Sequence, residues 1–157
     1  MRAIRILAAG PQTLVQDSGR RGYAHLGVPR AGAFDTRAWQ LANRLVGNAT
    51  EAASLEILGG GVEVEAMGHL TIAVTGAQGP VDIDGRSAGT HTPLHVAPGS
   101  RLRLGAARTG IRYYLAVSGG ISTPAVLGSR SHDTLGRLGP PVVRIGDVLP
   151  TGAQRVG

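Results

Sequence analysis

The chain carries 157 residues, 42% of them apolar, and a formal charge of +6 in which all 16 cationic side chains are arginine. It has no cysteine, which excludes disulfides, cysteine nucleophiles and thiolate metal sites, and no apolar run approaches the length of a membrane span. The arginines are scattered, and one Trp, one Phe and three Tyr accompany them; the charge therefore reads as a basic surface for an acidic partner or an anionic ligand, not as a nucleic-acid groove.

The length suits one domain with its own core, and 25 glycines between short apolar runs predict strands joined by tight turns. AIRILAA (residues 3–9) is the first strand candidate, stopped by Gly10-Pro11. The apolar run at the N-terminus is too short for a secretion leader, and the expected location is the cytoplasm. TLVQD is a second strand leading into QDSGRRGYAHLGVPRAGAFD (16–35), which has no regular apolar period. From Asp35 the period becomes helical, with Ala38, Leu41, Ala42, Leu45 and Val46 on one face. This predicts a helix over about residues 35–46, N-capped by Asp35 and stopped by a left-handed Gly47.

Beyond the helix the pattern is β. ASLEIL and GVEVEA flank Gly59-Gly60-Gly61 as a hairpin or bulge would, and HLTIAVTG places Ile72 and Val74 on one face. Asp84-Gly85 signals a tight hairpin. Two strands surround Pro98-Gly99, with Leu102 and Leu104 alternating against Arg101 and Arg103. IRYYLAVSGG is the longest apolar strand, and VVRIGDVLP supplies a last one. The sum is a mainly β chain: a closed or nearly closed barrel of about eight to ten strands, with one helix over an opening.

No Walker loop, dinucleotide fingerprint or GxSxG elbow is present. His91 and His95 are separated by Pro93 and share no helical face, so no metal site is expected. Three stretches carry chemistry. In the first, Gln16, Asp17, Arg20, Tyr23, His25 and Arg30 either project into a cleft or belong to a structural loop in which Asp17 and Arg20 tie down the backbone. The second is Val117-Ser118-Gly119-Gly120, either a turn or a nest of backbone N–H groups for an oxyanion. The third is LGSRSHD (127–133), where Arg130 between Ser129 and Ser131 suits a carboxylate or carbamate, because the guanidinium fork matches two oxygens. Ser131, His132 and Asp133 are consecutive, and neighbouring side chains on extended backbone point apart, which argues against a triad.

The run TLVQDSGRRGYAHLGVPRAGAFD, then LANRLVGN, SLEI, YLAVSGGI and LGSRS, in that order, strongly resembles one family over nearly the whole chain. It is the allophanate hydrolase subunit 2, or biotin-dependent carboxyltransferase, family. Its members include a subunit of the bacterial ATP-dependent 5-oxoprolinase, the antagonist of a sporulation-kinase inhibitor, and part of the carboxyltransferase region of urea carboxylase. The chain departs from the family pattern at Ala31 and Phe34, where Ser and Met are usual, and at His132, where Thr is usual.

The resemblance implies a cyclophilin-like barrel, with residues 1–157 as a single domain corresponding to the N-terminal half of a longer member. It implies a subunit of an ATP-dependent amide- or urea-processing complex whose partner resembles allophanate hydrolase subunit 1, acting on a small amide or carboxylate. ATP, and biotin with it, belong to the complex; this chain is expected to bind neither, nor a metal, nucleic acid or membrane. The candidate substrate-binding residues are Gln16, Asp17, Arg20, Ser118, Gly119, Ser129, Arg130 and Ser131. No nucleophile is assigned: the chain has no lysine, and a general base is expected from the other half or the partner. The alternative is a regulator without enzymatic activity that binds and antagonises a histidine-kinase inhibitor. Prolyl isomerisation, by analogy with cyclophilins, is disfavoured because the chain has few aromatics for such a groove.

Overall fold

In chain order the elements are β1 (Ala3–Ala9), β2 (Gln12–Gln16), α1 (Thr36–Leu45), β3 (Ser54–Leu58), β4 (Val62–Met67), β5 (Leu70–Gln78), β6 (Val81–Ile83), β7 (Arg86–Ser87), β8 (Leu94–Val96), β9 (Arg101–Leu104), β10 (Thr109–Val117) and β11 (Val148–Pro150). The structure is a computed structural model and describes residues 1–154. The strands form two antiparallel sheets, one of six in the order β11-β1-β4-β9-β6-β7 and one of five in the order β2-β3-β10-β5-β8. A mainly β chain with one α-helix among the described residues matches the expectation, with eleven strands where the sequence pattern predicts about eight to ten.

Period-two alternation builds the core. Ile4, Ile6, Val62, Val64, Leu102 and Leu104 from the six-stranded sheet meet Val15, Leu55, Ile57, Ile72, Val74, Tyr113, Leu115 and Val117 from the five-stranded one. Arg101 and Arg103 alternate outward beside Leu102 and Leu104. Each fully buried Val, Leu or Ile is worth about 1.5–3 kcal/mol relative to exposure.

β10 is apolar on both faces because both are covered. Tyr113, Leu115 and Val117 enter the core between the sheets. Tyr114 and Ala116, with Ala73 of β5, point the other way and pack under Trp39 and Ala42 of α1 and Val46 at its C-cap. The helix thus covers the outer face of the five-stranded sheet, not a barrel opening as expected; the second apolar face of β10 requires a cover.

The ends of α1 follow the prediction. Asp35 Oδ1 accepts from the Ala38 N–H at 3.1 Å. Gly47 sits at φ 77, and the N–H groups of Gly47 and Asn48 reach back to the carbonyls of Arg44 and Asn43 at 3.1 and 2.9 Å, a Schellman closure. The buried face does not follow it. Trp39, Ala42, Asn43 and Val46 are buried, while Leu41 is 37% exposed. Asn43 lies in the buried stripe because its amide is satisfied there: Nδ2 donates to Thr50 O and Ala52 O, and Oδ1 accepts from Asn48 and Ser54.

Gly59-Gly60-Gly61 is not a hairpin. β3 pairs with β2 and β10, whereas β4 pairs with β1 and β9. The three glycines, all at positive φ, carry the chain from one sheet into the other. A Cβ on Gly60 would collide with Gly105 O, so backbone passes backbone here. Asp84-Gly85 does close a hairpin, with Ile83 opposite Arg86.

Candidate functional site

Residues 17–35 are irregular because they fold against their own backbone. Arg20 N–H donates to Arg30 O at 2.7 Å, and Ala33 N–H to Asp17 O at 2.9 Å. A Cβ on Gly19 would collide with Arg30 O, so these contacts need glycine. Within the loop, residues 24–26 make one 3-10 turn, ended by Gly27 at φ 75.

Two buried charges of opposite sign bind this loop to residues 126–131. The Asp17 carboxylate is 7% exposed. Its Oδ1 accepts from Ser129 Oγ at 2.5 Å, Ser131 Oγ at 2.7 Å and Gly19 N–H at 2.9 Å, and its Oδ2 from Arg130 N–H at 2.7 Å. Arg20 is 2% exposed. Its Nε donates to Val126 O at 3.1 Å, and one terminal nitrogen to Ser131 O at 2.7 Å and Ser129 O at 3.3 Å. Asp17 therefore collects the donors of the LGSRS turn and Arg20 its carbonyls. These contacts tie down the backbone, as the structural alternative for the loop expects, while the other Arg20 terminal nitrogen and Gln16 Oε1 stay buried without a hydrogen-bond partner among the described residues.

The remaining candidates divide between two places. Gln16 is buried and donates to His132 O at 3.1 Å, which anchors the end of the same turn. Arg130 is half-buried; its Nε donates to Thr123 O at 2.6 Å. No carboxylate lies within ion-pair distance of it among the described residues. Ser118 and Gly119 are tied elsewhere. Ser118 Oγ accepts from Arg2 at 2.7 Å and from Thr71 N–H at 3.1 Å. The N–H groups of Ser118, Gly119 and Gly120 are taken by Thr71 O, Asn48 Oδ1 and Val117 O. With all three donors engaged, Val117–Gly120 is a turn and not an oxyanion nest.

A cavity of about 590 Å³ lies where the loop passes into α1. Phe34, Asp35 and Arg37 form one wall, and Gly76, Gly110, Ile111 and Arg112 the other. The β5–β10 register shifts between Thr109 and Tyr113, and this irregularity opens the wall. Beneath it, Glu56 Oε2 accepts from the Tyr114 hydroxyl at 2.7 Å and from Phe34 N–H at 2.8 Å. The Tyr114 oxygen accepts from Asp35 N–H at 2.8 Å. Arg112 lies 4.0 Å from Glu56 and 4.3 Å above the Phe34 ring. Burial, first of all, pushes the Tyr114 phenol well above its ordinary range, and burial likewise raises Tyr113. Glu56, Arg112 and Tyr114 are not among the residues predicted from sequence. The available signal is a carboxylate at the centre of the otherwise apolar strand SLEIL.

Among the described residues no group of His, Asp and Glu is placed to hold a metal ion, and no helix is long and apolar enough to cross a membrane.

The carboxyltransferase domain family, subdomains A and B, matches residues 26–156, and the chain belongs to that family. It is 39% identical over 151 residues to urea amidolyase of Saccharomyces cerevisiae, covering 94% of this chain and 8% of that protein. It is 39% identical over 155 residues to a 5-oxoprolinase subunit of Escherichia coli, covering 97% of this chain and 50% of that one. The crystal structure of Kluyveromyces lactis urea carboxylase superimposes with a TM-score of 0.91 at 37% identity, over 95% of this chain and 14% of that one. The chain thus spans half of the bacterial relative and a small part of the fungal enzyme.

Proposed function

We propose that the chain, as a member of that carboxyltransferase family, is a non-autonomous subunit or domain of an ATP-dependent amide- or urea-processing complex, working with a partner that resembles allophanate hydrolase subunit 1. One observation carries the assignment of a substrate contact. Arg130 is held at Nε by Thr123 O and through its backbone by Asp17, while its charge has no carboxylate partner among the described residues. A fixed, uncompensated guanidinium suits a carboxylate or carbamate oxygen pair. Asp17, Ser129, Ser131 and Arg20 hold that arginine's loop in place, and Gln16 fixes its far end.

The N-terminus of α1 does not suit a nucleotide phosphate: the Asp35 carboxylate caps its first turn, and no Walker-type loop precedes it. ATP, and biotin with it, belong elsewhere in the complex, and the base for amide chemistry comes from another part of it.

The test is reconstitution with the partner and measurement of ATP-dependent cleavage of a small cyclic amide such as 5-oxoproline. The chain alone is expected to be inactive; equal activity without the partner sinks the subunit reading. Arg130→Lys retains charge but loses the planar fork, and turnover by the complex should fall at least about tenfold, equivalent to about 1.4 kcal/mol.

One observation favours a second reading, a protein-binding regulator: Asp17, Ser129 and Ser131 are consumed by each other, which leaves the chain few free polar groups for catalysis. A stable complex with a histidine-kinase inhibitor, with no effect on amide hydrolysis, would establish it over the first.

A further inference from the structure

Two segments of the chain are nearly free of acidic residues. Residues 18–34 contain no Asp or Glu, and residues 118–146 contain one acid, Asp133. Asp133 is 3% exposed, with its Oδ1 engaged by Leu135 N–H. These two segments carry Arg21, Arg30 and Arg137 at the surface. No carboxylate lies within ion-pair distance of these three among the described residues; the ion pairs found are on β1, β4, β9, β3 and β10.

The same two segments hold exposed apolar side chains. Leu26 is 67% exposed and Leu135 is 85% exposed. The two segments meet at one shallow depression, where Ala24, Gly27, Val28 and Pro29, the chain neighbours of Leu26, line the wall together with Leu135 and Gly136. The platform beneath is pre-organised: Arg20 joins Arg30 backbone to backbone, and the Asp17 and Arg20 clamps hold residues 126–131 to it. A surface ordered before it binds loses less entropy on association.

We propose that the face made by the 21–30 loop and the 133–137 turn is the docking surface of this chain for a separate protein subunit that presents an apolar patch ringed by carboxylates. The proposal rests on the subunit reading above and adds where the partner sits. Exposed leucines and unpaired arginines carried on the same two segments supply both the apolar contacts and the charges that protein interfaces use. Nucleic acid is the weaker occupant, because single-strand binding uses a series of aromatic stacking platforms, and this face has only the half-buried Tyr23 and the exposed His25 beside its aliphatic leucines.

The experiment measures binding of the intact chain to the purified partner resembling allophanate hydrolase subunit 1, with single-stranded DNA of about 20 nucleotides, longer than one ordinary binding site, as a second probe. Leu26→Asp with Leu135→Asp should weaken the protein complex at least about tenfold, and Arg21→Glu with Arg137→Glu should do the same. All four sites are exposed, so melting midpoints should stay near that of the parent chain. The parent complex should weaken as ionic strength rises from about 0.1 M to about 1 M, and the charge-reversed variant should lose that dependence. Ser87→Asp, on the exposed edge strand β7 of the six-stranded sheet, should leave binding unchanged. A complex indifferent to both double substitutions, or broken equally by Ser87→Asp, overturns the docking face while leaving the subunit reading standing. Failure of the parent chain to bind the partner overturns both, and tighter binding of the DNA than of the protein overturns the choice of occupant.

Discussion

Asp17 shows how one residue can make two distant motifs a single structure. Its carboxylate accepts four hydrogen bonds from Gly19, Ser129, Arg130 and Ser131, and each donor left unpaired in a buried site costs about 1–3 kcal/mol. Asp17→Ala should therefore destabilise the chain by about 2–4 kcal/mol in urea unfolding, with loss of amide-exchange protection at residues 129–131. A result under about 1 kcal/mol would mean the carboxylate is dispensable. Tyr113 and Tyr114 should make stability fall at alkaline pH. Their phenols are raised by burial above the ordinary 10.0, so the folded state keeps protons that the unfolded state releases. The stability they contribute is complete below about pH 10 and is lost as pH climbs toward their folded values, at up to about 1.4 kcal/mol per pH unit for each. Urea midpoints across about pH 9 to 12 test this. A flat profile contradicts the burial argument, and Tyr114→Phe should flatten it by one tyrosine.

At the scale of the element, α1 separates a correctly placed helix from a misassigned face. Trp39 is 2% exposed and lies against Tyr114 and Ala116, so Trp39→Ala should cost about 3–5 kcal/mol. Leu41, at 37% exposed, should cost less than about 1 kcal/mol when cut to Ala. Equal losses at the two positions, measured by denaturant midpoint, would restore the face predicted from periodicity. Asp35→Ala removes the cap of the Ala38 N–H and should cost about 1 kcal/mol. Gly60→Ala forces a Cβ into Gly105 O at positive φ and should cost at least as much as the cap, through the crossover between sheets.

For the whole molecule, positive charge is widely spread. Glu56, Glu63 and Glu65 each face an arginine, whereas exposed arginines without a carboxylate at ion-pair distance among the described residues include Arg86 and Arg108 as well as Arg21, Arg30 and Arg137 of the loop face. In the function proposed above, Arg130 is the substrate contact and the loop face is the docking surface. The salt dependence of assembly and the Arg130→Lys rate loss therefore report on different sites. The first should move binding with turnover per complex unchanged, and the second turnover with binding unchanged.

Local chemistry along the chain is enough to place the strands, the Asp35 cap, the Gly47 stop and the Asp84-Gly85 hairpin, because each depends on neighbours within a few residues. It also singles out the 16–35 loop and the LGSRS turn, whose composition is unlike any regular element. Three features are decided only by the tertiary structure. The Gly59–Gly61 segment crosses between sheets instead of turning back, because which strands pair is a long-range matter. Asn43 is buried and Leu41 is not, because loop carbonyls at Thr50 and Ala52 satisfy the amide. Asp17, Ser129 and Ser131 occupy one another across more than a hundred residues of chain. Sequence pattern registers the chemical capacity of such groups, but only the folded chain determines whether that capacity is spent on a neighbour or, as with the Arg130 charge, left without a carboxylate partner among the described residues.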